Sequence, residues 1–278
     1  MTAGLRLASL RAFASLLLTS LLVVWLADVA LANAKLSELT IGVLLRGLDP
    51  FREMSTLEAL ITSLGRSAAL LGVALTAAAV VGMTAGAAYA LSASAPLRAG
   101  AWAIGTAGVS LPSFFWAMLL QLVVVLVFVR TQTRILPTSG FGLDEHLILP
   151  ALALAARPAA YIFRTTATAL EQVRHGDYVR TARAKGLVES VVARRHVLPN
   201  AAPAIVTGFG LAVRTALSSL AIVEYVFSWY GAGFGFIHGL ANGRTAFATL
   251  IALSFALVFA GLAVAIEAVA RAFVPRRP

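Results

Sequence analysis

Six stretches of this chain, at roughly 10–32, 66–92, 99–129, 147–170, 200–224 and 245–273, are long, apolar and almost free of charge. A helix needs about 20 apolar residues to cross the ~30 Å hydrocarbon layer of a bilayer. Backbone polar groups at that depth must be satisfied within the protein itself, which leaves few structures besides the helix. The chain is therefore read as an all-α integral membrane protein with six transmembrane helices. Composition agrees: 12% of the residues are charged, about half of what a water-facing surface uses. An N-terminal unit, 1–65, supplies one helix and a short external segment, and a five-helix core follows over 66–278.

The first span has a competing reading. Arg6 and Arg11 precede it, and "ANAK" at 32–35 resembles a small-residue cleavage site, as in a signal peptide. Its apolar run is longer than the usual core of such a peptide, which favours a retained helix.

Orientation follows from the loops. Segments 1–11, 92–100, 170–199 and 270–278 hold twelve Lys and Arg, against five in 34–65, 129–146 and 225–243. Basic loops stay in the cytoplasm. Both termini are expected there, in a multi-pass protein. The same loops account for the net charge of +10 without nucleic acid. With no cysteine, disulfides and thiolate chemistry are excluded. His146, His175, His196 and His238 are scattered and show no ligand spacing, so no metal site is expected. The small-residue motif "GMTAG", Gly82 to Gly86, is read as ordinary packing within one bundle.

The densest basic stretch is "DYVRTARAKGLVESVVARRHVLPN", 177–200, with five Lys or Arg. Read as one helix, it places Arg180, Ala184, Leu187 and Val191 on one side, with Val188 and Val192 extending that side. Gly186 admits a bend or a close backbone approach. Pro199 ends a helix or opens the next one. The expectation is a short amphipathic helix, a break, a second short helix, then a span. A basic segment resting on anionic lipid is the plainest account.

The spacing suggests more. Gly186 is followed by nine residues and then "HVLP" at 196–199. This resembles the ATPase-docking loop of the membrane subunits of ATP-binding-cassette importers, and "YVRTARAKGL" resembles its form in the peptide and nickel branch. Two positions depart from the general signature, "RTA" at 180–182 and His196. "SLPSFFWAMLL" (110–120), "LPTSGFG" (136–142), "HLILPALAL" (146–154) and "EYVFSWYGAGFG" (224–235) resemble further stretches of that branch, with Tyr230 where Pro is usual. The similarity covers about 60–278; the first outer segment is shorter than usual and lacks "PGDP".

The resemblance implies a type I importer fold. It assigns ATPase coupling to Tyr178, Arg180, Arg183, Ala184, Lys185, Gly186, Leu187, His196, Leu198 and Pro199. It further implies a second permease subunit as heterodimer partner, two ATPase subunits that bind ATP and Mg, and an external binding protein that sets most of the specificity. The chain has no G-x-x-x-x-G-K-[ST] phosphate loop and no cofactor of its own is expected, so it is read as a transport subunit and not an enzyme.

Arg157 stands about 11 residues into its span, ~16 Å deep at 1.5 Å per residue, and Arg214 is similarly placed. A charge there costs about 3 kcal/mol, so each should face protein or water. Each is read either as a structural ion pair or as a lining of the translocation pathway, where Phe115, Trp116 and Glu224 are also expected. Arg164 is read as an anchor, and Glu224 as a partner for Arg244 in an outer gate or a staple.

Peptide import is the leading function; nickel, a metal chelate or an opine-like solute is the alternative within the same architecture. A secondary carrier would call for paired acidic residues within spans. Asp28, Glu224 and Glu267 have no acidic neighbour. A lipid-binding scaffold would give no reason for the glycine-to-Leu-Pro spacing.

Overall fold

A computed structural model describes residues 54–273, so the span expected at 10–32 lies outside the described residues. The first described helix, α1, runs Thr56–Leu91. Its 36 residues reach ~54 Å, well beyond the hydrocarbon thickness. It begins ten residues before the expected span, so 56–65 is helical and the expected boundary at 65 falls inside a continuous helix. The reason lies in the first turn: Ser55 accepts a hydrogen bond from the Glu58 backbone N–H at 3.3 Å, in a Ser-x-x-Glu capping arrangement. The ten residues before Arg66 hold one charge, Glu58, and five apolar side chains, so the helix runs through them without a break.

The stretch expected as one span, 99–129, is two helices: α2, Ala95–Ser110, and α3, Ser113–Thr131. Pro112 separates them. It has no N–H to continue the helix and disfavours helical geometry at Leu111. Together the pair runs from one end of the bundle to the other. Arg98 of α2 lies beside the basic loop, while Gln121 of α3 donates to Thr138 O at 2.8 Å at the opposite side.

Helix α4, Ile148–Arg174, is the central element, with 14 buried residues. Short helices α5, Asp177–Ala184, and α6, Glu189–Val192, lead through a π-helical turn, Ala193–Val197, into α7, Leu198–Val226. Helix α8, Ala232–Ala241, lies in the segment expected as an outer loop, and α9, Thr245–Phe273, completes the described chain. Among the described residues, four helical stretches are long and apolar enough to cross a membrane: Thr56–Leu91, Ser113–Thr131, Glu145–Arg174 and Glu189–Val226. The bundle thus has a basic end, which holds 177–200, and a far end, which holds α8.

The core joins α1, α4 and α7 through Leu70, Leu154, Ile162 and Leu220, all fully buried. Lipid tails are as apolar as leucine, so close packing holds these helices together more than flight from water. Gly82 and Gly86 show this. A methyl group at Gly82 would meet Ala159 O at 2.7 Å, and one at Gly86 would meet Thr166 Cβ at 2.7 Å. The motif is the seam between α1 and α4 of one bundle.

At the far end the stretch 224–235 folds back on α1. Trp229 is fully buried and its Nε1–H donates to Arg66 O at 3.1 Å. Arg66 donates back to Tyr230 O at 3.3 Å and lies 4.3 Å from the Phe141 ring centroid. Glu224 is 0% exposed. Its Oε1 accepts from the Ser67 hydroxyl at 2.5 Å, and its Oε2 accepts from the Gly233 and Phe234 N–H groups at 2.7 and 3.1 Å. Those N–H groups have no intrahelical partner in the first turn of α8, and the carboxyl group satisfies them. The Glu224–Arg244 pair expected from the sequence is not formed. Arg244 instead donates to Met54 O at 3.4 Å and stands over the Phe247 ring. The α8 start lies nearer to Glu224 because the turn at 227–231 brings it back over the end of α7.

Candidate functional site: the basic loop and the polar face above it

The loop at the basic end follows the expected order. Helix α5 stops at Ala184, Gly186 adopts φ +77°, α6 restarts at Glu189, and Pro199 stands in the first turn of α7. A methyl group at Gly186 would meet nothing within 4 Å. Of the two reasons considered for a glycine here, the positive φ is therefore the operative one.

The buried face differs from the expected one. Val179, Ala182, Val192 and Val197 face inward and pack on Ala90 of α1, Ala169 and Leu170 of α4 and Ala201 of α7. Leu187 and Val188 are 40% and 64% exposed, and Ala184 is exposed. Helical spacing was extrapolated through Gly186, where the helix stops and the chain turns. Past the turn, Leu187 and Val188 fall outward while Val192 stays on the buried side as expected. Before it, α5 buries Val179 and Ala182 in place of Arg180 and Ala184.

The remaining loop residues are presented outward. Tyr178, Arg180, Arg183, Lys185, Leu198 and Pro199 are exposed, and His196 is partly so. Arg183 forks onto Glu189, with Nε and Nη2 donating at 3.0 and 2.7 Å. This pair spans the turn at Gly186 and fixes α5 against α6. The loop's root is fastened too: Arg174 donates to Ala90 O and Arg98 pairs with Glu171. A rigid, charged element is thus seated by its apolar side on the ends of three long helices.

This seated loop between two long helices can be compared with known proteins. Residues 78–277 match the family described as the binding-protein-dependent transport system inner membrane component. The chain belongs to this family. It is a multi-pass inner-membrane permease component with the fold expected of type I importers. The di/tripeptide transport permease DppB of Pseudomonas aeruginosa is 36% identical over 203 residues, 62% of this chain and 60% of that protein. The glutathione transport permease GsiC of Escherichia coli K12 is 41% identical over 130 residues, 47% of this chain and 41% of that one. The matched part of this permease thus spans about half the length of those curated relatives. A chain from inward-facing structures of the MetNI methionine transporter superposes with a TM-score of 0.61 at 19% identity, over 78% of this chain and 97% of that one. A chain from an amino acid transporter with histidines does so at 0.58 and 17%, over 77% and 93%. These two establish the fold.

The permease's other candidate residues are spread along the bundle. Phe115 is 43% exposed on α3. Trp116 lines an apolar cavity of about 370 Å³ among Gly82, Gly105, Gly108 and Ala160, and its Nε1 has no partner among the described residues. Glu224 is enclosed as described. Arg157, Arg164 and Arg214 form no ion pair with any described carboxylate. Arg157 is partly buried and its Nε has no partner among the described residues, Arg214 is exposed, and the Arg164 guanidinium lies 5.0 Å from the Trp102 ring centroid.

Sequence reasoning treated these arginines singly and missed the polar face of α4 that holds Arg157 and Arg164. Positions 157, 161, 164, 165, 168 and 172 of α4 are Arg, Tyr, Arg, Thr, Thr and Gln. Their spacing follows one side of a helix. Polar residues recurring at helical spacing within an apolar span were the available signal. For Ser67, the partner of Glu224 from a distant helix, no such signal existed.

Proposed function

We propose that this permease is one membrane half of an ATP-driven importer of peptides, delivered by an external binding protein and powered by two separate ATPase subunits. The basic loop carries the reading. Its apolar side is locked onto α1, α4 and α7, and its charged side is free for a cytoplasmic partner. Closure of an ATPase against that surface would move α5 and α6 as one lever, and rigid-body shifts of packed helices would open the pathway to alternate sides. The relatives named for di- and tripeptides and for glutathione support peptides over nickel chelates. The basic end faces the cytoplasm, and the second half is a sister permease.

Two measurements test this. The first is ATP-dependent uptake of a tripeptide into proteoliposomes that hold the permease, its sister, both ATPases and the binding protein. Uptake should require every component, and ATP hydrolysis by the isolated permease would overturn the reading. The second uses the absence of native cysteine. In intact cells, Leu143→Cys at the far end should react with an impermeant thiol reagent and Lys185→Cys should not. The reverse pattern would invert the orientation.

A further inference from the structure

The polar face of α4 is not an isolated stripe. Two cavities, of about 340 and 470 Å³, open beside it. Both are lined by Thr165 of α4 and Ala204 of α7, so they are parts of one groove. Arg164, Tyr161 and Thr168 line one part, and Arg214 and Thr207 line the other. Ala204 and Arg214 are ten residues apart on α7, so the groove extends about 15 Å along the helix. Among the described residues, no acidic side chain lines either part.

We propose that this groove is a binding site for a solute that carries a free carboxylate together with N–H groups, with Arg164 and Arg214 as successive carboxylate contacts. The inference rests on the importer reading above. Three observations carry it. First, the two guanidiniums have no carboxylate partner among the described residues, so each is open to an anion or to water in the groove it lines. Second, the hydroxyl protons of Thr165 and Thr207 are already spent. They donate to Tyr161 O at 3.0 Å and Pro203 O at 2.9 Å on their own helices. What these hydroxyls offer the groove is oxygen lone pairs, which accept from N–H groups. Third, cationic donors beside neutral acceptors complement a zwitterion, whereas a cation would be repelled and a hydrocarbon would strand every one of these groups. The Trp102 ring under Arg164 holds that guanidinium toward the groove. This assigns Arg164 a role in binding as well as anchoring.

The test uses the assembled importer in nanodiscs, with Thr168→Cys as the one cysteine in this chain and a maleimide as reporter. The probes are trialanine and trialanine amide, which differ in the terminal carboxylate. Thr168→Cys should label, and trialanine should slow labelling far more than its amide does. Arg164→Gln and Arg214→Gln should each weaken the protection by trialanine about tenfold, the worth of one charge-assisted hydrogen bond. Arg→Lys at either position should restore most of it, which separates charge recognition from a packing defect. Equal protection by acid and amide would overturn carboxylate recognition while uptake of tripeptide continued. If Thr168→Cys never labels in any nucleotide state, the groove is covered by the sister subunit and the site does not exist. Loss of ATP-dependent uptake in the unmodified complex would instead defeat the importer reading itself.

Discussion

The far end and the basic end of this permease each hold a stretch that resembles a motif of the same family, and the two are built in opposite ways. At the far end, the key groups of 224–235 are turned inward. Glu224 and Trp229 are fully buried, and each is hydrogen-bonded to a residue more than 150 positions away. At the basic end, 177–199 buries only small apolar side chains. Apart from exposed pairs such as Arg183–Glu189 across the turn, its polar groups are left to solvent, and its arginines and lysine stay in contact with it. A motif whose polar groups are satisfied internally works as architecture. One whose polar groups are left outward is available to a partner. The presence of both within one chain shows that resemblance to a motif does not reveal which kind it is; hydrogen bonding and burial do.

The comparison can be broken most directly at Glu224. Replacing it with Ala leaves the Ser67 hydroxyl and two α8 N–H groups without their acceptor, at a cost of about 3 kcal/mol or more. Thermal unfolding in nanodiscs should show a large drop. Glu224→Gln can keep the pattern, with its amide oxygen accepting from Gly233 and Phe234 and its nitrogen donating to Ser67 Oγ. It should stay within about 1 kcal/mol of the parent. Equal losses for Ala and Gln would mean that charge, and not hydrogen bonding, holds the far end.

Val179→Ala should come next. It leaves a void beneath α5 worth about 1–2 kcal/mol. Here the sharper readout is function: ATPase association should persist while ATP hydrolysis no longer drives uptake, because the lever is loosened on its seat. Full coupling in this variant would show that the seat is not the mechanical link.

Gly186→Leu forces a branched side chain into φ +77°, at about 1–2 kcal/mol. Since the space around the glycine is open, Gly186→Asn should recover much of the loss, as Asn tolerates this region. Uptake measured for the pair checks this; a failure of both variants would indicate that the partner itself needs the bare backbone.

The smallest effect belongs to Arg183→Ala. Its pair with Glu189 is forked but largely solvent-exposed, so folding stability should fall by less than about 1 kcal/mol, and by less still in high salt. A loss of ATPase binding far beyond that figure would mark Arg183 as a direct contact with the partner.

Much of this was legible along the chain. The apolar runs determined an all-helical membrane bundle, because a backbone in hydrocarbon has so few ways to satisfy itself. The spacing from Gly186 to Leu198 and Pro199 determined the order helix, break, helix, span, because positive-φ glycine and N-terminal proline act locally. Two local signals were nonetheless passed over, the Ser55-x-x-Glu58 cap that starts α1 at Thr56 and Pro112 within an otherwise continuous apolar run. What lay beyond local rules did not show. The inward side of α5, Val179 and Ala182, depended on how that helix packs on the ends of α1, α4 and α7. Only the tertiary structure brought Ser67 of α1 and the start of α8 to Glu224, in place of Arg244. It alone set Arg164 and Arg214, on two different helices and about 50 positions apart, along one groove. Such meetings depend on how helices cross and where turns return the chain, and residue spacing within a single helix carries no record of that.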